Sequence, residues 1–242
     1  SDLAAMGAEP LYYSLAIAMP KINYEMFLKS FSKGLRSDQK KFNIFLIGGD
    51  LSASKKYITV TISIIGKVPK GEAVPRNGAK AGDSLYVTGE LGLSNIGLNY
   101  NKSYKKEFKI AKKRYFIPEP RVNFGTNVRK YVNSMIDISD GLIQDISHIA
   151  SNSGVNVILD FKALPIPFFK SLNHKDILKA ALYGGDDYEL LFSLSPKNES
   201  KVLMIAKKTN VKITKIGIIK KGKKGRVFNN LLEIKNKSYM HF

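Results

Sequence analysis

The chain has 242 residues, and 39 lysine and arginine residues against 20 acidic residues give it a formal net charge of +19. The absence of cysteine excludes disulfides, thiolate zinc sites and cysteine nucleophiles. No apolar run approaches the roughly 20 residues that span a bilayer, and the start of the chain lacks a signal-peptide pattern. We therefore expect a cytoplasmic protein of one large domain or two modest ones.

The excess positive charge is almost entirely lysine, with 33 lysine and 6 arginine residues. Positive charge attracts partners that carry phosphate, but specific readers of nucleic acid usually depend on the bidentate guanidinium of arginine. Richness in lysine and asparagine is also typical of an AT-rich genome, so a nucleic-acid partner is not favoured. The densest basic run, residues 220–226, contains glycines, and we predict that it forms the exposed turn of a hairpin.

The predicted elements alternate between strands and helices. Before residue 69 we predict a helix end closed by glycine, a buried strand, a helix, a second buried strand and an alternating strand, at residues 1–7, 11–19, 24–35, 42–47 and 57–64. The alternating strand is typical of a half-buried antiparallel strand, because one face carries Ile58, Val60, Ile62 and Ile64. Residues 69–83 carry glycines, prolines and charge, which indicates a domain boundary.

Beyond this boundary the pattern of strands and helices restarts. Strands are predicted at residues 85–88, 155–161, 188–194 and 211–219, and helices at residues 105–115, 124–132 and 197–209. A further helix after residue 141 should turn four apolar side chains inward: Leu142, Ile143, Ile146 and Ile149. This order predicts an α/β or α+β protein with domains at residues 1–70 and 71–242.

Residues 135–142 read Met-Ile-Asp-Ile-Ser-Asp-Gly-Leu and place two carboxylates around a hydroxyl where a strand gives way to a helix. Carboxylate and hydroxyl oxygens at a turn are hard ligands that can hold magnesium and phosphate groups. Asp140 alone could simply cap the helix that follows. Asp137, Ser139 and Asp140 together favour a functional site.

Two further acidic turns accompany this run. Asp50 follows a pair of glycines, where backbone N–H groups could approach phosphate oxygens, although a plain turn after a strand is the alternative. Asp186, Asp187 and Glu189 follow a second glycine pair, and such clustered acids are costly without a cation. Strand alternation would put Asp187 and Glu189 on one face and Asp186 on the other. Together the turns indicate an enzyme that handles a metal–nucleotide complex.

Three single residues and one glycine-rich segment are weaker candidates. Asp2 lies in an otherwise apolar helix and could be only its N-terminal cap. Arg76 lies in the interdomain segment, where a guanidinium could reach a phosphate, although surface arginines are common. His148 follows the acidic turn and reads as structural. The glycines between residues 89 and 97 resemble a phosphate loop only weakly.

Taken together, these motifs resemble the thiamine-monophosphate kinase family. The matching segments occur in the family's order along essentially the whole chain, at residues 1–8, 47–50, 87–92, 136–142, 184–190 and 239–242. The resemblance implies the two-domain fold of aminoimidazole-ribonucleotide synthetase, with an N-terminal α/β domain that forms a homodimer through its sheet. It also implies that ATP and thiamine monophosphate react to give thiamine diphosphate and ADP, with several magnesium ions (Mg2+).

The resemblance implies a set of site residues by motif. The implied magnesium ligands are Asp2, Asp50, Asp137 and Asp140. The implied ATP contacts are Gly49, Asp50, Arg76 and Ser139. The thiamine end of the substrate is implied to contact Asp186 and Tyr239. No residue is implied to form a covalent intermediate, because the acceptor phosphate oxygen is already ionised and the phosphoryl group passes directly.

The chain departs from the family pattern in three ways. Asp186 stands where the family usually has glutamate, and Leu51 stands where it usually has threonine. The chain also starts without the family's N-terminal segment, so we expect an incomplete N-terminal domain and a fragment that does not turn over alone. Two other hypotheses stay open: another ATP-dependent enzyme of the same superfamily, and a non-catalytic basic module that binds nucleotide or RNA.

Overall fold

The computed structural model describes residues 1–21, 24–222, 225–229 and 232–234. The chain divides into two compact units, which are Ala8–Pro69 and the combination of Ser1–Gly7 with Lys70–Phe242. The first seven residues therefore belong to the larger unit, and the domain limits predicted from the sequence stay a prediction. No helix in the described ranges has the length and hydrophobicity needed to cross a bilayer.

The smaller unit is a three-stranded sheet with one helix. Strand β1 (Glu9–Met19) lies between β2 (Phe45–Ala53), to which it is parallel, and β3 (Thr59–Lys67), to which it is antiparallel. A parallel pair requires a crossover connection, which α2 (Tyr24–Phe42) supplies. The apolar side chains predicted to recur at helical spacing are all partly buried in α2: Phe27, Leu28, Phe31 and Leu35.

The position of the first glycine pair differs from the prediction. Helix α2 continues to Phe42, so the strand predicted at residues 42–47 begins later and extends further. Asp50 therefore lies within β2 and not in a turn after it. Gly49 is needed at this point of the sheet, because a Cβ there would lie 1.9 Å from the carbonyl oxygen of Leu15. Close packing of β1 and β2 explains this glycine without any ligand.

Strand β3 is antiparallel as predicted, but the prediction that it is half-buried was wrong. Its residues are exposed on both faces over nearly the whole strand, and β2 is exposed along its whole length. Alternating apolar residues create a face that can be buried, but another layer must cover that face. No such layer is present in the described part of the chain.

The larger unit is built on a seven-stranded sheet of order β10-β9-β6-β8-β4-β7-β5. Its strands are β4 (Ser84–Thr88), β5 (Ser134–Asp137), β6 (Val155–Leu159), β7 (Leu190–Leu194), β8 (Ile213–Lys221), β9 (Val227–Asn229) and β10 (Leu232–Glu233). Its helices are α1 (Asp2–Ala5), α3 (Leu93–Asn99), α4 (Lys109–Phe116), α5 (Val122–Val128), α6 (Leu142–Ser153), α7 (His174–Tyr183) and α8 (Glu199–Lys208). Neighbouring strands are antiparallel except for the parallel pair β6–β9.

Helices cover both faces of this sheet. Leu85 and Val87 of β4 belong to a core that includes α6 and α7. Tyr86, between them, belongs to a second core that includes α1, α5 and α8. Successive side chains of a strand point to opposite faces, so this strand is buried on both sides. The inward face predicted for α6 is confirmed, because all four of its apolar side chains are fully buried: Leu142, Ile143, Ile146 and Ile149.

Several local predictions in this unit were wrong. The helix predicted at residues 105–115 starts as a short 3-10 turn and becomes α-helical only at Lys109. Helices α3 and α7 were not predicted from the sequence. The basic run at residues 220–226 does not join paired strands as a hairpin turn, because β9 pairs with β6 and not with β8. Lys223 and Lys224 of that run lie outside the described residues.

The pairing of β5 with β7 positions the candidate site. The two strands are antiparallel, and Asp137 at the end of β5 lies opposite Leu190 at the start of β7. The turn that follows β5 and the segment that precedes β7 must therefore lie at the same end of the sheet. These two stretches contain the acidic motifs predicted from residues 135–142 and 184–189.

Candidate active site

The acidic turn between β5 and α6 forms the centre of the site. Asp137 ends β5, and Ser139 and Asp140 follow it before α6 begins. The Asp137 side chain is buried, and its Oδ2 accepts a 2.5 Å hydrogen bond from the hydroxyl of Ser1. No lysine or arginine of the described ranges forms an ion pair with Asp137 or Asp140. A buried carboxylate without a cationic side chain is suited to a metal ion.

The Gly-Gly-Asp-Asp-Tyr-Glu segment runs directly beside this turn. The backbone N–H of Asp186 donates to the carbonyl of Ser139 at 2.9 Å, and that of Tyr188 donates to the carbonyl of Ile138 at 2.9 Å. Gly185 permits this close approach, because its φ is +66° and a Cβ there would lie 2.5 Å from the Ser139 carbonyl oxygen. The structure therefore brings two of the predicted acidic motifs together.

Tyr188 lies among the candidate carboxylates and was not predicted from the sequence. Its hydroxyl donates to Asp186 Oδ1 at 3.0 Å. Burial raises the pKa of Tyr188 to about 12, and the nearby charges of Asp186, Asp137 and Asp2 contribute to this rise. The charges of three acids predicted for the site therefore act on one phenol, which remains a neutral hydrogen-bond donor.

The backbone of this segment is strained at two positions. Asp186 has a φ of 58° and Tyr188 a φ of 51°, in the left-handed region that residues other than glycine rarely adopt. Strain of this kind persists only where surrounding contacts enforce it, and it clusters at functional sites. Here the hydrogen bonds to Ser139 and Ile138 hold the segment in place.

Asp145 is a second residue of this region that was not predicted. Its side chain is 1% exposed, in the first turn of α6. Burial and then the charge of Asp140 raise its pKa to about 7, with a further contribution from Asp137, while backbone hydrogen bonds oppose the rise. A signal existed in the sequence, because an acid three residues after Leu142 falls on the inward face of an amphipathic helix.

The buried neighbour of Asp186 has a structural role. Asp187 is 2% exposed and accepts hydrogen bonds from the backbone N–H groups of Gly92 at 2.6 Å and Ser94 at 3.2 Å. Burial raises the pKa of Asp187 to about 7, and the two backbone N–H groups counteract that rise. The start of α3 thus binds the protein's own carboxylate. The weak resemblance of this glycine segment to a phosphate loop was misleading.

Glu189 is also structural, and its cationic partners are two arginines: Arg121 makes hydrogen bonds, and Arg114 lies 3.9 Å away. Arg121 donates to Glu189 through Nε at 2.7 Å and Nη2 at 2.6 Å, and Thr88 Oγ1 donates at 2.6 Å. Burial alone would lower the pKa of Arg121, but the hydrogen bonds and charge of Glu189 raise it. As alternation predicts, Asp187 and Glu189 are buried while Asp186 is exposed. Only Asp186 of the three acids is available to a ligand.

Replacing Asp187 with asparagine should reduce stability, whereas the same change at the adjacent Asp186 should not. Asp187→Asn weakens a buried acceptor at the start of α3, so we expect the free energy of unfolding to fall by about 1–2 kcal/mol. Asp186→Asn changes an exposed side chain and should stay within about 0.5 kcal/mol of the unmodified protein. Urea denaturation of both variants measures the difference. Equal losses would show that the two acids do not have separate roles.

Of the remaining predicted residues, Arg76 is the one that belongs to the described part of the larger unit, and it lies away from the acidic turn. The Arg76 side chain is exposed, and its carbonyl accepts a hydrogen bond from Ser153 at the far end of α6. That helix has 12 residues and is therefore roughly 18 Å long. Gly49 and Asp50 lie in the smaller unit and are described with that unit alone. Tyr239 lies outside the described residues.

Comparison with known proteins identifies the family. Residues 1–68 match the N-terminal domain of the AIR synthase related protein family, and residues 80–230 match its C-terminal domain. The whole chain is 39% identical to the thiamine-monophosphate kinase of Buchnera aphidicola subsp. Schizaphis graminum and covers 77% of that protein. The chain belongs to the thiamine-monophosphate kinase family.

Solved structures agree with membership of the thiamine-monophosphate kinase family. The enzyme from Stenotrophomonas maltophilia K279a superposes with a TM-score of 0.89 at 30% identity, over 96% of this chain and 76% of that one. The structure of AaThiL complexed with AMPPCP and TMP superposes with a TM-score of 0.87 at 27% identity, over 99% and 76% of the two chains. The family resemblance and the two-domain fold predicted from the sequence are both confirmed.

Proposed function

We propose that the protein transfers the γ-phosphoryl group of ATP to thiamine monophosphate, which gives thiamine diphosphate and ADP. Identity of 39% to a thiamine-monophosphate kinase over the whole chain supports this activity, as does likeness to a structure complexed with AMPPCP and TMP. The observation that carries the proposal is the acidic turn, where no lysine or arginine of the described ranges pairs with Asp137 or Asp140 and the exposed Asp186 lies beside them.

The residues of the acidic turn fit magnesium. This ion takes oxygen ligands, accepts one or two carboxylates and keeps several waters. We assign Asp2, Asp50, Asp137 and Asp140 as ligands of several magnesium ions, so that no single ion needs all four carboxylates. When bound, magnesium would neutralise charge on the phosphate oxygens during transfer. The same turn offers the hydroxyl of Ser139 to a phosphate of ATP, and we assign Gly49 and Arg76 as further ATP contacts.

Asp186 is assigned to the thiamine end of the substrate. Its side chain is exposed, and the Tyr188 hydroxyl holds one of its carboxylate oxygens at 3.0 Å. A carboxylate in a fixed position suits the cationic thiazolium or the amino group of the pyrimidine. We also assign Tyr239 to this end, because a tyrosine ring can stack on a heteroaromatic cation. The β–γ bond of ATP breaks as the new bond to the acceptor oxygen forms, and no proton has to be removed.

The proposal includes a homodimer in the cytoplasm. Strands β2 and β3 of the smaller unit expose large apolar side chains, among them Phe45, Leu46, Ile62 and Ile65. Such surfaces in soluble proteins usually mark association sites. A second copy of the same sheet is the partner that the family resemblance implies. The absence of cysteine is consistent with a reducing compartment.

Calorimetry of the full-length protein with thiamine monophosphate and a non-hydrolysable ATP analogue tests this function. We expect the analogue to bind only when magnesium is present, because the acidic turn repels phosphates without it. We also expect thiamine monophosphate to bind the complex with the analogue. Binding that needs no magnesium and weakens steeply with salt would contradict the proposal and favour a basic nucleic-acid-binding module.

A further inference from the structure

A cluster of metal-ligating side chains lies on α6 beside the acidic turn. Asp140, Asp145 and His148 each offer one ligand atom, and these atoms all lie within 4.8 Å of one another. Asp145 and His148 are three residues apart on the helix, so they share a face. Asp140 reaches the same point from the turn before the helix. A single ion could therefore contact all three side chains after small rotations.

One buried oxygen of this cluster lacks a hydrogen-bond partner in the described part of the chain, although backbone N–H groups of Ser139 and Asp140 act on the same carboxylate. Oδ2 of Asp145 is buried and has no hydrogen-bond partner in the described ranges. Burying a carboxylate oxygen without a partner costs free energy, so native proteins rarely retain one. No lysine or arginine of the described residues forms an ion pair with Asp145. The missing partner is therefore expected to be a cation from solution.

The donor atoms decide which cation fits. Magnesium prefers oxygen ligands and retains its waters, whereas imidazole nitrogen favours less hard ions such as zinc, iron and nickel. We propose that Asp140, Asp145 and His148 bind one divalent transition-metal ion at the start of α6. This ion is additional to the magnesium that accompanies ATP, and the two ions would share the Asp140 carboxylate. Its binding does not require nucleotide or depend on the proposed kinase activity.

A bound ion at this position would stabilise the acidic turn. It would link Asp140, which precedes α6, to two side chains within the helix, and so limit the movement of the turn that carries Asp137. The ion would also complete the coordination of the buried Asp145 oxygen. The site is thus expected to hold the turn in position before magnesium and nucleotide arrive.

Titration of the full-length, nucleotide-free protein with Co2+ tests the site. The visible absorption of bound Co2+ reports its ligands, and calorimetry gives the affinity and the number of ions. Loss of an outer-shell partner alone lowers metal affinity by roughly 10- to 100-fold, so His148→Gln should weaken Co2+ binding by at least that factor. His174→Gln is the matched control, because His174 is exposed at the start of α7, and it should bind Co2+ like the unmodified protein.

A second measurement needs no variant at His148. Mn2+ added to the unmodified protein should broaden the ring resonances of His148 at concentrations that leave those of His174 unchanged. The proposal fails if both histidines broaden together, if His148→Gln binds Co2+ with unchanged affinity, or if equimolar Mg2+ displaces the bound Co2+. Kinase activity enters none of these measurements, so failure of the metal site and failure of the proposed function can be told apart.

Discussion

Asp137→Asn should lower magnesium-dependent turnover of the full-length protein by roughly 100-fold or more, because groups that stabilise transition-state charge contribute effects of this size. A neutral amide oxygen binds magnesium far more weakly than a carboxylate does. Asp137 is 5% exposed at the end of β5, so another side chain or water cannot easily take the place of its carboxylate oxygen. Steady-state rates measured over a range of magnesium concentrations give the size of the loss.

The matched control is Asp38→Asn on the exposed surface of α2, which makes the same chemical change away from the acidic turn. This variant should keep normal rates. Circular dichroism should show that Asp137→Asn is folded, since an amide oxygen can still accept the hydrogen bond from Ser1. Near-normal turnover of Asp137→Asn at all magnesium concentrations would remove Asp137 from the set of metal ligands.

Arg121→Ala should lower the free energy of unfolding by about 3–5 kcal/mol, the usual cost when one partner of a buried ion pair is removed. The loss arises because Glu189 is 1% exposed and would keep its charge in the interior, with Thr88 as a hydrogen-bond donor and Arg114, 3.9 Å away, as the remaining cation. The arginine fork makes two hydrogen bonds to this carboxylate. Denaturant unfolding of the variant and the unmodified protein measures the cost.

Lys130→Ala provides the comparison for this prediction. Lys130 Nζ lies 2.9 Å from Glu72, but its side chain is 61% exposed, so water screens the pair. We expect a cost below about 1 kcal/mol. The double variant Arg121→Ala with Glu189→Gln should recover part of the stability lost by Arg121→Ala, because the buried charge is gone. Similar costs for Arg121→Ala and Lys130→Ala would mean that burial does not strengthen the pair.

Elements with a strong local pattern were predicted well. The inward face of α6 follows from helical spacing of apolar residues, because one side of a helix must be buried to stabilise it. The alternation in β3 likewise predicted an antiparallel strand. Its burial could not be predicted, because exposure depends on whether another layer covers the strand. Helices α3 and α7 were missed for a related reason: apolar side chains of both pack in a small separate cluster, and α7 also joins the core that includes α6, so their burial depends on distant segments.

The acidic motifs were predicted as a set; the structure places two of them side by side and gives their acids different partners. Asp187 and Glu189 were grouped with Asp186 because all three follow one glycine pair. Their partners at Gly92 and Arg121 are 95 and 68 residues away in sequence, so only the folded chain shows that two of the acids are structural. Tyr188 and its left-handed backbone gave no signal in a single sequence.

By itself, the sequence determined the family, the mixed α/β architecture and the stretches that carry the site, because long ordered motifs and local spacing are properties of the chain alone. Only the tertiary structure decided which carboxylates are neutralised within the protein and which stay without a cationic side chain. The physical reason is that the charge state of a buried acid depends on burial and on donors from distant segments. Those donors meet the acid only when β5, β7 and the helices around them have packed.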